Sequence, residues 1–164
     1  MKHFRILEIA LLLFVTATLV IQVKIQPVHA IDTYTINPDG SVTPSTPLIS
    51  TEDNVTYTLT DNFVGSIVAN RSNIVLDGAG YSISGSGSEK GVSLISVTNV
   101  TVKEINAENF YYGIYLESSA YNTLLNNNAS GNGHFRILLN MSTYNTLSDH
   151  IAASNTFAVL YISY

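Results

Sequence analysis

The feature that most constrains this chain is a repeat: Tyr121-Asn122-Thr123-Leu124 returns unchanged as Tyr144-Asn145-Thr146-Leu147, which sets a period of 23. One step earlier stands Thr98-Asn99-Val100-Thr101, and Ser72-Asn73-Ile74-Val75 precedes that by 26, a slightly longer first unit. Asn73, Asn99, Asn122 and Asn145 line up as one column, and Asn109, Asn132 and Asn155 as a second. A third column is apolar. Val92 and Leu94, Ile114 and Leu116, Ile137 and Leu139, and Leu160 and Ile162 flank Ser93, Tyr115, Leu138 and Tyr161, the period-two mark of a strand with one face inward.

A unit of this size buries its apolar face only by stacking on its neighbours. Units rich in Asn, Ser, Thr, Val and Ile, with Gly at 78, 80, 85, 87, 91, 113, 131 and 133, favour short strands and tight turns over helices. The expected fold class is all-β: a right-handed parallel β-helix of four coils, approximately 72–97, 98–120, 121–143 and 144–164. Residues 31–71 form a lead-in whose Tyr57-Thr58-Leu59-Thr60 and Gly65-Ser66-Ile67-Val68 read as strands covering the first coil. The column Asn73, Asn99, Asn122 and Asn145 is expected to be an amide ladder running from coil to coil. The sequence stops at Tyr164 within a strand of the fourth coil, so a longer parent solenoid and end-to-end self-association are both expected.

Composition removes several classes. The chain has no Cys, hence no disulfide and no thiolate metal site. Net charge is −5, and setting aside positions 1–30 leaves four basic against eleven acidic side chains, so nucleic acid is not an expected partner. Within positions 1–30, Lys2, His3 and Arg5 precede an apolar run from Ile9 to Val23 and a Val28-His29-Ala30 ending. This reads as a signal peptide cleaved after Ala30, the alternative being a retained membrane anchor. An extracellular or cell-envelope location follows.

The run Asp39-Gly40-Ser41-Val42, then Gly65-Ser66-Ile67-Val68, then Arg71-Ser72-Asn73-Ile74-Val75-Leu76-Asp77-Gly78-Ala79-Gly80-Tyr81, resembles the NosD-like right-handed β-helix proteins, exported and often archaeal. The Asn-Thr-Leu coils are similar to that family's Asn-Thr-Ile repeats. The resemblance implies the architecture over residues 31–164. It also brings three roles into view: the copper-binding maturation role of the name-giving member, and the carbohydrate binding and sugar hydrolysis of wider relatives. Fold alone transfers none of them.

Among residues of the type such roles need, His134, Met141 and His150 are the candidate copper ligands, and His134 and His150 read better as polar corner residues. Hydrolysis needs paired carboxylates. Glu52-Asp53 is the one adjacent pair and reads as a solvated turn, Asp77 sits at a Gly-rich corner, and Glu104, Glu108 and Glu117 are scattered. Arg136 reads as a solvated corner residue. No catalytic residue, metal ligand or cofactor is therefore assigned. Of the sequons, Asn54 and Asn140 are the better glycosylation candidates. The outward residues Tyr115, Leu138 and Tyr161 are expected to make an apolar and aromatic stripe that contacts polysaccharide, an envelope component or another part of the protein. The function expected is a non-enzymatic surface module for adhesion or glycan contact, the alternatives being part of a polysaccharide hydrolase or lyase, or a copper-binding maturation factor.

Overall fold

The computed structural model describes residues 32–151 and 160–163; the expected signal segment lies outside them. Strands account for all the regular structure described, and no helix occurs among these residues. In chain order they are β1 (Asp32–Ile36), β2 (Val42–Thr43), β3 (Ile49–Ser50), β4 (Thr56–Leu59), β5 (Phe63–Ala69), β6 (Val75–Asp77), β7 (Ser82–Ser84) and β8 (Lys90–Ile95). Then follow β9 (Thr101–Lys103), β10 (Asn106–Glu108), β11 (Tyr112–Glu117), β12 (Thr123–Leu125), β13 (Ile137–Asn140), β14 (Thr146–Ser148) and β15 (Leu160–Ser163).

The chain winds as a right-handed parallel β-helix of about four turns with three sides. On one side β1, β5, β8, β11, β13 and β15 stack in parallel. A second side stacks β4, β6, β9, β12 and β14, also in parallel. The third carries the first two residues of β5, Phe63 and Val64, then β7 and β10, and continues as single bridges from Asn106 to Asn128 and from Asn128 to Ile151. At the N-terminal end β2 pairs with β1 and β3 with β4, both antiparallel, so each long side closes on a short reversed strand.

Side-chain alternation fills the interior. Val92, Leu94, Ile114, Leu116, Ile137 and Leu139 point inward from the first side. Leu76, Val102 and Leu124 do so from the second, which places Leu124 rather than Leu125 in the core. Gly91 and Gly113 occupy an inner corner too tight for a side chain: a Cβ on Gly113 would lie 2.6 Å from Asn132 Nδ2 and 2.7 Å from the Ala129 Cβ.

The longer first unit has a local cause. Val75 pairs with Thr101, an offset of 26; for Ser82 with Asn106 the offset is 24, and for Lys90 with Tyr112 it is 22. The additional residues therefore sit at two corners, Gly78 to Tyr81 and Gly85 to Glu89, and the strands themselves keep step.

The corners hold the main correction to the expected ladder. Each bend of the second coil is turned by an outward residue with left-handed backbone, Ser96, Asn99, Glu104 and Asn109. The next residue, Val97, Val100, Ile105 or Phe110, points inward. Its N–H needs an acceptor inside the coil stack. The coil above supplies one each time: Ser119 Oγ accepts from Val97 N at 3.2 Å, and Asn122, Asn127 and Asn132 accept through Oδ1 from Val100, Ile105 and Phe110 at 2.9, 3.0 and 2.9 Å. The three amides also donate, to the carbonyls of Val97, Val102 and Ala107.

The arrangement steps up one coil at Ser142, Asn145 and His150, which accept from the N–H groups of Ser119, Asn122 and Asn127. The column expected at 73, 99, 122 and 145 thus splits in two. Asn73 and Asn99 are exposed left-handed corner residues, joined by Asn99 Nδ2 donating to Asn73 Oδ1 at 3.0 Å. Their structural successors are Tyr121 and Tyr144, also left-handed. Asn122 and Asn145 belong one position further in, succeeding Ile74 and Val100. The reason is that corner spacing between the second and third coils is 22, one short of the sequence period.

Asn122→Ala should lower stability by about 2 kcal/mol, since it leaves a buried N–H and a buried carbonyl unmatched. Asn99→Gly, which removes an exposed amide but keeps the left-handed bend, should cost less than about 0.5 kcal/mol. Urea melts of the two variants check this, and equal midpoints would remove the inner amide from its role. His150 carries a pH signature: burial above all holds its pKa below 6.5. The unfolded chain then takes up the proton first, so this contribution to stability is full above pH 6.5 and is lost as the pH falls below it. His150→Asn should flatten that part of the stability profile, measured by melts across the same range of pH.

Candidate functional site

The sides of the solenoid present rows of side chains at about the spacing of hydrogen-bonded strands, roughly 4.8 Å. Strand register sets Tyr115 opposite Ser93 and Leu138, with Tyr161 paired to Leu138 through its backbone. This row is covered where its side chains are described: Tyr115 and Leu138 are each only 7% exposed. Around Tyr115 the Lys90 ammonium lies 3.6 Å from the ring centroid, the Tyr112 ring stacks at 5.8 Å, and Asn140 Nδ2 donates to the phenol oxygen at 3.4 Å. A bulky ring walled in by its neighbours has no free face for a sugar.

The open aromatic row is elsewhere, at the corner that leads into the second side. Tyr121 and Tyr144 are 63% and 74% exposed. Their rings stack with centroids 5.0 Å apart and planes inclined by only 7°. Backbone bridges from Thr98 to Ala120 and from Ala120 to Thr143 hold the corner in register, so Asn73 and Asn99 continue the same ridge. The repeated Tyr-Asn-Thr-Leu is plain in the sequence, but strand alternation points to Tyr115 and passes over the Tyr of the repeat.

A second aromatic group forms around His134: Tyr111 stacks on its imidazole at 4.8 Å, and Tyr112 and Phe135 meet it edge-on at 5.6 and 4.1 Å. His150 is set into an inner corner with Nδ1 engaged by Asn127. Met141 is exposed at an outer corner. Arg136 departs from the solvated reading altogether, being 1% exposed and inward in the Gly91 and Gly113 column.

Two of the candidate carboxylates, Asp53 and Asp77, are occupied in structural tasks. Asp53 accepts from the N–H groups of Thr56 and Val55, bonds that hold its carboxyl below the usual range. Asp77 pairs with Lys103 at 2.5 Å. Of the two glycosylation candidates, Asn54 is exposed in a left-handed turn, whereas the Asn140 amide donates to Tyr115 and accepts from Ser163 Oγ.

A family model described as "Periplasmic copper-binding protein (NosD)" matches residues 28–163. No curated protein and no solved structure matches the chain. The donor set of the described residues does not fit a copper centre. No three His, Cys, Asp or Glu side chains gather among them, His134 is packed among aromatic rings, and His150 spends Nδ1 on a backbone N–H. Export to the envelope agrees with the periplasmic character of that family. With a parallel β-helix of about four turns and a match spanning most of the chain, this protein belongs to the NosD family.

Proposed function

We propose that this chain is an exported, non-catalytic envelope module that contacts glycans along the corner ridge of Tyr121 and Tyr144. The single observation that carries the reading is the exposed, parallel pair of tyrosine rings on a rigid corner. Tyrosine joins an apolar ring to a polar hydroxyl, and a sugar joins C–H patches to hydroxyls, so the two surfaces are complementary. Each backbone is already fixed by its coil, which limits the ordering cost of binding.

Asn73 and Asn99 extend the ridge with amides that hydrogen-bond to one another and remain exposed. A linear polysaccharide lying along the solenoid axis would therefore meet a ring or an amide at every coil. Catalysis has little support, since Asp53 and Asp77 are committed to a turn and an ion pair.

Changing Tyr121 and Tyr144 together to Ser should reduce retention on envelope polysaccharide by about tenfold, a loss of roughly 1.4 kcal/mol, with the melting temperature nearly unchanged. Tyr115→Ser should do the reverse, lowering the melting temperature by several degrees with retention preserved. Affinity electrophoresis in polysaccharide gels beside thermal melts measures both quantities. Undiminished retention of the double variant would overturn the proposal.

A further inference from the structure

Tyr121 and Tyr144 stand 23 residues apart in the sequence and face one another across adjacent coils. Both turn the chain with left-handed backbone, at φ of 57° and 55°, so their side chains leave the stack in the same direction. The bridge from Ala120 to Thr143, and the Tyr121 N–H donating to the Thr143 carbonyl at 3.3 Å, fix the two corners to each other. The backbone therefore holds the rings face to face, with centroids 5.0 Å apart and planes inclined by 7°, while both side chains stay open to solvent.

Two phenols so placed are set for one reaction with each other. Loss of an electron and the hydroxyl proton from a tyrosine gives a phenoxyl radical, whose unpaired electron resides in part on the ring carbons ortho to oxygen, in orbitals perpendicular to the ring. Coupling of two such radicals needs ring faces rather than edges brought together, and a backbone that holds them there supplies the proximity in advance. The other close tyrosine pairs among the described residues each fail a condition. Tyr111 and Tyr112 meet at 73°, and Tyr115, which stacks on Tyr112 at 5.8 Å, is 7% exposed and closed to an oxidant.

The position of the pair gives such a bond a consequence. In a solenoid each coil is held by its neighbours, and among the described strands β14 and β15 end their sheets. The chain has no Cys with which to fasten the fourth coil. A bond between Tyr121 and Tyr144 closes a loop across the third coil and restrains the unfolded chain as a disulfide does.

We propose that Tyr121 and Tyr144 are an oxidative modification site, at which a carbon–carbon bond between their ortho positions, a dityrosine, staples the third coil to the fourth. The oxidant is of the peroxidase class, working with hydrogen peroxide. Each phenol gives up one electron and its hydroxyl proton, and the two ortho carbons join. The hydrogen on each joined carbon then moves as a proton to the neighbouring oxygen and restores both phenols. In sum the pair loses two electrons and two protons, which reduce one hydrogen peroxide to two waters. The site is independent of glycan contact at the ridge, since a covalent bond is read by mass and a glycan by retention.

The test exposes the full chain, at low concentration, to a haem peroxidase and limiting hydrogen peroxide. The product should be a monomer lighter by two hydrogen atoms, with the blue fluorescence of dityrosine and a peptide map that joins the segments holding Tyr121 and Tyr144. Tyr121→Phe and Tyr144→Phe keep the ring and remove the phenol, and each should abolish this cross-link. The oxidised protein should melt several degrees above the untreated one, a gain absent from both variants. Cross-links that join separate molecules, or that run through other tyrosines and persist in both variants, would overturn the proposal. A cross-link that leaves the melting temperature unchanged would overturn its role as a staple. Should either variant fail to fold, the wild-type map alone decides, and recovery of Tyr121 and Tyr144 in separate peptides after oxidation sinks the assignment.

Discussion

The structure depends on how a stacked coil satisfies the backbone at its bends. Along the sides, strands pair with the coils above and below, and the N–H groups find carbonyls. At a corner the left-handed residue turns the chain and takes the following N–H out of that ladder, pointing it into an apolar interior where water cannot serve it. Ser119, Asn122, Asn127 and Asn132 answer this four times in one coil, each with an oxygen for an N–H and most with an amide for a carbonyl. The inner asparagines are thus extensions of the backbone ladder into places where the backbone cannot pair with itself.

Residue identity at these inner corner positions changes from coil to coil. The second coil carries Val97, Val100, Ile105 and Phe110 at these positions, and their N–H groups are served by side chains of the coil above. The third and fourth coils carry Ser, Asn or His. An imidazole can replace an amide at position 150 since Nδ1 offers an acceptor to the same N–H, and its second nitrogen is buried. The likeness of the coils is therefore one of hydrogen-bonding role more than of residue identity.

The outer surface follows from the same bends. A left-handed residue points away from the stack, so whatever occupies it is displayed, and successive coils display it in a row. Asn tolerates this backbone well and Tyr less so, at a cost on the order of 1 kcal/mol. The bend is imposed on Ser96, Glu104 and Met141 as well, so strain alone marks no site. What distinguishes Tyr121 and Tyr144 is that two flat rings are held parallel and open to solvent on a rigid support. The family's copper description finds no matching donor set among the described residues, and the shared architecture by itself transfers no role.

The sequence by itself determined the period, the all-β class and the inward face of the strands around Ser93, Tyr115 and Leu138, because alternation within a strand is a strict two-residue rule tied to burial; for Leu124 against Leu125 the structure decided. Val92, Ile114 and Ile137 fall where their spacing says they must. It did not determine register across a bend. Corners accept one residue more or fewer without disturbing the strands, so identical Asn residues one period apart need not be structural equivalents, and a shift of one exchanges an exposed ridge for a buried amide. Only the tertiary structure decided that Asn99 is succeeded by Tyr121 rather than Asn122, that Tyr115 is covered, and that Arg136 points inward. Those outcomes depend on which coil lies against which, and that is settled by pairing between strands distant in sequence.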